Sequence, residues 1–275
     1  MEYIELNISV ADPEQSEIVV ALLSDYPFEA FDEAEGELRA YIQTAEWSQC
    51  QKWVESMLVE QGLRFAALEV EQQNWNAEWE SGFSPVRVDG RRPIYIRAEH
   101  HSAPDDDILD VVIAPRMSFG TGHHITTALM SRSIAELDFS GKRGLDMGCG
   151  TGVLAIVALK CGAQSMVGVD IDDWACDSCR DSMVLSGVEI DVRCGSMDVV
   201  AGEKFDFVLA NINRNILLAD MDRYASCMHK GSELFMSGFY VQDIPAIREK
   251  AESLGMTFLH HREKNNWAAV KFVMK

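Results

Sequence analysis

The segment Gly144-Leu145-Asp146-Met147-Gly148-Cys149-Gly150-Thr151-Gly152, followed by the apolar run Val153 to Leu159, constrains this chain more than any other. An apolar run ending in an acid, three glycines on alternate positions and a second apolar run read as strand, tight turn and helix. Glycine lets a ligand approach the backbone, and a helix N-terminus presents amides without intrahelical partners. A second acid, Asp170, closes the next strand 22 residues after Gly148, where a carboxylate can accept both hydroxyls of a ribose. Strands near 144–147, 166–170, 190–194, 207–211 and 234–238 alternate with helical stretches, and a final pair near 257–261 and 268–273 follows. This alternation predicts an α/β fold with a doubly wound, Rossmann-like sheet.

Two ligand classes fit the turn. A dinucleotide needs G-x-G-x-x-G with its pyrophosphate on the helix dipole. Here the spacing is G-x-G-x-G, and Val153 stands where that fingerprint wants glycine. Asp146 would repel a pyrophosphate and suit a cation. S-adenosylmethionine carries an ammonium and a sulfonium and no phosphate, so it fits Asp146, Gly148, Gly150 and Asp170 better. A dinucleotide-binding oxidoreductase stays as the rival.

The strand of residues 205–211 ends in Asn211, at the edge where ligands of such sheets lie. Asn211 can orient a nucleophile there, or simply cap the following helix. The sequence continues Ile212-Asn213-Arg214 and lacks the Asn-Pro-Pro-Tyr used on planar nitrogens, so a tetrahedral amine suits it better than a base or an amide. His123-His124 lacks a third ligand at metal spacing and reads as loop-ordering; no metal is expected. Cys176-x-x-Cys179 falls inside a helix, away from the helix start that a redox motif uses. Seven cysteines, an odd number, point to reduced thiols.

The first third has a different character. Residues 1–70 read as strand, helix, two strands, helix and strand, the order of a ferredoxin-like α+β unit. Residues 71–84, with Trp75 and Trp79 four apart, read as a linker helix; residues 85–275 form the larger domain. The chain carries 44 acidic and 24 basic residues, a net charge of −20. Residues 1–83 hold 18 of the acids and only Arg39, Lys52 and Arg64 as bases. That balance argues against extensive nucleic-acid binding and fits a docking surface for a basic partner, or plain solubility. No apolar run approaches the roughly 18 residues of a membrane span, and MEYIELNISV has no basic stretch leading into an apolar one, so a cytoplasmic location without a membrane is expected.

One longer pattern ties these features together. Phe119-Gly120-Thr121-Gly122-His123-His124-Ile125-Thr126-Thr127, the DMGCGTG turn, VDID at 169–172 and VLANI at 208–212 resemble the ribosomal protein L11 methyltransferase family, as do the NW…EW…F-x-P linker and the acidic N-terminal domain. The resemblance covers most of residues 73–275 and implies a class I S-adenosylmethionine-dependent enzyme. Such enzymes methylate lysine ε-amines and the N-terminal α-amine of a basic large-subunit ribosomal protein. It implies Thr127, Gly148, Asp170 and Asn211 as cofactor contacts, Phe119 over the cofactor beside the reactive methyl, and Ser196 near the adenine. Asn211 would also orient the amine, without a dedicated strong base, and residues 1–70 would grip the substrate. Two positions depart from the family pattern: Ile125 stands where many members have proline, and Asn213-Arg214-Asn215 replaces a small, apolar stretch.

Overall fold

The computed structural model describes residues 3–24, 26–34, 36–70, 82–105, 107–115 and 118–275. The chain divides into two compact units, Met1–Ala77 and Glu78–Lys275. The linker helix expected over 71–84, with Trp75 and Trp79, lies almost wholly outside the described residues.

The first unit runs β1 (Tyr3–Ser9), α1 (Pro13–Leu23), β2 (Phe28–Ala34), β3 (Glu37–Gln43), α2 (Thr44–Glu60) and β4 (Arg64–Val70). Asp12 starts α1 by accepting the Gln15 amide at 2.9 Å, as a short polar side chain does best at that position. All neighbouring strands are antiparallel, in the order β2-β3-β1-β4. That order with two helices is the ferredoxin-like arrangement. Alternate residues Ile4, Leu6 and Ile8 of β1 and Leu38, Ala40 and Ile42 of β3 are buried with Trp47, Val54 and Leu58 of α2. Period two on the strands and period 3.6 on the helix close one core.

The second unit opens with a small sheet of β5 (Val86–Val88), β6 (Ile94–Arg97) and β7 (Leu109–Val112). Then follow α3 (Ile125–Ala135), β8 (Arg143–Met147), α4 (Val153–Lys160), β9 (Ser165–Asp170), α5 (Asp173–Leu185), β10 (Asp191–Cys194) and β11 (Phe205–Asn211). The chain ends with α6 (Arg214–Ser226), β12 (Met228–Tyr240), α7 (Ile244–Ser253), β13 (Met256–Lys264) and β14 (Trp267–Met274). Seven strands make one sheet in the order β10-β9-β8-β11-β12-β14-β13. The first five are parallel, and β14 inserts antiparallel between β12 and β13.

Parity along the strands sorts the two faces. Phe207 and Leu209 of β11 pack with α3 and α4, whereas Val208 and Ala210 pack with Leu217, Met221 and Tyr224 of α6. The strand order reverses between β8 and β11, so their carboxyl ends, Met147 and Asn211, open a crevice there.

One cysteine expectation is corrected. Reduced thiols were expected throughout, yet the structure joins Cys176 of α5 to Cys194 at the end of β10. Cys50, Cys149, Cys161, Cys179 and Cys227 are free and buried. Sequence separation hides the pair, because β10 returns beside α5 only when the sheet forms. No helix among the described residues is long and apolar enough to cross a membrane.

Candidate active site

A cavity of about 600 Å³ lies at the carboxyl ends of β8, β9, β10 and β11. Its floor is the turn from Gly148 to Gly152. All five amides of that turn are already used: Gly148 and Cys149 donate to the Val169 carbonyl at 2.8 and 3.1 Å, and Gly152 donates to Cys149 at 2.8 Å. Gly150 donates to Asp170 Oδ2 at 2.9 Å, and Thr151 donates to the Phe119 carbonyl at 2.9 Å. The sequence suggested free amides here; the fold consumes them. A pyrophosphate that relies on these five N–H groups finds each of them already bonded within the protein.

The same bonds explain the spacing of the two glycine-rich segments. Thr151 Oγ1 donates to the Gly120 carbonyl at 2.8 Å, so Phe119-Gly120 lies directly on the turn. Gly150 has φ of +53°, and a Cβ on it would fall 2.1 Å from the Phe119 carbonyl oxygen. Only glycine permits that approach.

The two acids take different places. Asp170 lines the cavity, and its carboxylate is fixed by the Gly150 and Asp172 amides at 2.9 and 3.2 Å. Asp146 was expected to face the ligand; it is instead 1% exposed and not part of the cavity lining. Its place in β8, between Leu145 and Met147, turns it toward α4, where Oδ2 accepts the Ala155 amide at 3.2 Å. Oδ1 has no partner. Burial pushes its pKa up to about 7, with the neighbouring Asp170 charge adding to the rise and the Ala155 amide opposing it.

Of the other residues singled out, Phe119, Gly148, Gly150, Ser196 and Asn211 line the cavity, and Thr127 stands behind its wall. Asn211 Nδ2 donates to Thr127 Oγ1 at 3.4 Å, and Asn211 Oδ1 is buried without a partner. The helix cap is Asn213, whose side chain accepts the Asn215 amide at 2.9 Å, so Asn211 is free of that duty. Arg214 pairs with Asp243 at 3.4 Å. Ser196 sits at the opposite end and starts a 3-10 turn, donating to Asp198 at 2.9 Å.

A row of rings forms one flank. Phe119 and His124 are 5.3 Å apart, His124 and Trp267 4.7 Å, and Trp267 and Tyr240 4.2 Å. His124 also caps α3, accepting the Thr126 amide at 3.3 Å. Among the described residues, no group of three or more His, Cys, Asp or Glu is placed to hold a metal.

The site thus offers acceptors, aromatic faces and a pinned carboxylate, and the five amides of its glycine turn are all engaged. That set fits a ligand bearing hydroxyls and ammonium N–H groups, as S-adenosylmethionine does. The family model described as ribosomal protein L11 methyltransferase (PrmA) matches residues 6–275. The chain belongs to the ribosomal protein L11 methyltransferase family. It is 46% identical to a ribosomal protein L11 methyltransferase of Phocaeicola vulgatus, with all of both chains covered. It is 44% identical to one of Bacteroides fragilis, with 94% of each covered. A solved ribosomal protein L11 methylase from Lactobacillus delbrueckii subsp. bulgaricus has the same fold, with a TM-score of 0.64 at 24% identity over 70% of this chain and all of that one.

As a methyltransferase of this family, the protein takes its methyl group from S-adenosylmethionine. Two members of its cavity wall, His124 and Trp267, were not anticipated as ligand-facing. His124 was legible only as a loop residue beside His123. Trp267 reaches the site because β14 pairs with β12, which sets it opposite Tyr240.

Proposed function

We propose that this methyltransferase modifies amines of ribosomal protein L11, at lysine side chains and the N-terminal α-amine, and that Asn211 holds the acceptor. The observation carrying this reading is the unpartnered, buried Asn211 Oδ1 in the cavity wall that also bears Phe119, His124 and Trp267. An unsatisfied buried acceptor costs free energy that an incoming N–H recovers. An amine that donates to this oxygen is oriented by it. Thr127 keeps the amide from rotating by accepting its Nδ2 hydrogen.

S-adenosylmethionine supplies an electrophilic methyl on a cationic sulfur when bound. The residues of this chain do the rest. Asp170, fixed by two amides, accepts ribose hydroxyls, while Ser196 serves the adenine end and Phe119 covers the mouth. Asp146 acts at second hand, by holding α4 beneath the turn. The acceptor must be neutral to react, and a lysine ammonium has a pKa near 10.4 in water. Leaving water for an apolar wall lowers that value. The aromatic faces attract a product ammonium through cation–π interaction, so the charge on a methylated amine meets no electrostatic penalty there. No side chain is needed as a strong base; water takes the proton.

Residues 1–70 serve as the substrate grip, with 71–84 as the link and 85–275 as the catalytic domain. Support comes from charge: a net of −15 over residues 1–83 is opposite in sign to a basic, RNA-binding ribosomal protein. The reaction belongs to the cytoplasm, where that substrate is made, and calls for no direct contact with nucleic acid or membrane. The test is intact-mass spectrometry of unmethylated L11 after incubation with enzyme and S-adenosylmethionine. Mass should rise in steps of one methyl group, and peptide mapping should place them on lysines and the α-amine. An unchanged mass refutes the reading.

A further inference from the structure

We propose that Cys194 is a reactive thiol that forms a reversible disulfide with Cys176 by exchange with a low-molecular-weight disulfide, and that this crosslink braces the cavity wall beside Asp170. Cys194 is the last residue of β10 and pairs with Asp170 across the ladder. Cys176 lies on α5, with Sγ 3.6 Å from the Asp170 carbonyl oxygen. Their Cα atoms are 6.1 Å apart, inside the span a disulfide bridges. Both cysteines therefore sit against the backbone of the residue that the cofactor reading gives to the ribose. Ala175, before one cysteine, and Gly195 and Ser196, after the other, line the cavity. Gly195 is tied to the same strand end, donating to the Asp170 carbonyl at 2.8 Å.

The pair is asymmetric. Cys194 is half-buried, and the Arg180 guanidinium lies 3.7 Å from its sulfur. The guanidinium bridges Cys194 Sγ and Asp177, and the half-buried Cys194 sulfur is the one that a small disulfide can reach first. Cys176 is fully buried and acts second. The Cys194 thiolate attacks one sulfur of the small disulfide, forms a mixed disulfide and expels one small thiolate. Cys176 then loses its proton and attacks the Cys194 sulfur, expelling the second. One S–S bond breaks in the reagent and one forms in the protein. The two protein thiols are oxidised by two electrons, and their protons end on the two released thiols.

The crosslink ties α5 to β10 beside Asp170 and so limits the arrangements that this wall can take before cofactor binds. This coupling rests on the cofactor reading above. By reciprocity, bound cofactor must oppose reduction of the disulfide by the same factor.

The test equilibrates the full-length protein in glutathione buffers of graded ratio, alkylates free thiols and maps them by mass spectrometry. Cys176 and Cys194 should lose alkylation together while the other five cysteines are unchanged. Cys194→Ser should abolish the crosslink. S-adenosylhomocysteine should bind the crosslinked form roughly fivefold more tightly, a ratio at the lower end of typical couplings. Alkylation of both cysteines in every buffer overturns the proposal, and so does equal affinity in the two forms. If neither form binds S-adenosylhomocysteine, the cofactor reading has failed, and the alkylation map decides on the thiol chemistry alone.

Discussion

The Thr151 amide donates to the Phe119 carbonyl at 2.9 Å, locking two glycine-rich segments 32 residues apart into one floor for the cavity. Neither segment can be changed without moving the other. Gly150 makes the contact possible, since any side chain there meets the Phe119 carbonyl and demands an unfavourable φ. Gly150→Ala should destabilise the protein by on the order of 2–3 kcal/mol. Affinity for S-adenosylhomocysteine should fall at least tenfold. Thermal melts and calorimetry on the same preparation check both.

The asparagine that ends β11 and the one two residues later separate chemistry from stability. Asn213→Ala removes the α6 cap and should cost about 1 kcal/mol of stability. Its turnover should stay within a few-fold of the parent. Asn211→Ala should do the reverse, cutting kcat at least a hundredfold with little change in melting temperature. Steady-state rates and melts of both variants decide, and a swap of the two phenotypes would sink the assignment.

Asp146 gives a pH signature. Its pKa is raised from 3.8 to about 7 in the fold, so between those values the native state holds a proton that the unfolded chain has lost. Native protein then binds more protons than unfolded protein, and stability falls as pH rises through this window. The full loss above pH 7 is about 4 kcal/mol, at 1.36 kcal/mol per pKa unit. Urea midpoints of the unliganded protein should drop between pH 5 and pH 8, and Asp146→Asn should flatten the slope. Parallel profiles would contradict this.

Much of this was legible in the sequence, and the remainder has physical reasons. The strands that carry Asp146, Asp170 and Asn211 near their carboxyl ends are apolar runs with an acid or amide at the edge, so the strands could be placed, and Asp170 and Asn211 with them at the cavity. Local pattern cannot show partners. The insertion of β14 between β12 and β13, and the meeting of Trp267 with Tyr240, are pairings set by the whole sheet. Strand β5, only three residues long, carries too few positions to show alternation. Asp146 was misplaced because its burial follows from strand parity and from α4 lying over that face, and neither the Ala155 amide nor the face is visible in the letters. The turn amides were misjudged for a similar reason: their acceptors, Val169, Asp170 and Phe119, arrive from other elements.

The central claim is that the cavity accepts a phosphate-free, cationic methyl carrier and rejects a phosphate. Calorimetry of the wild-type protein with S-adenosylhomocysteine, and separately with NAD, tests it most directly. The first should bind saturably, at least tenfold more weakly after Asp170→Ala, and the second should give no heat. Binding of NAD as tight as that of S-adenosylhomocysteine would contradict it.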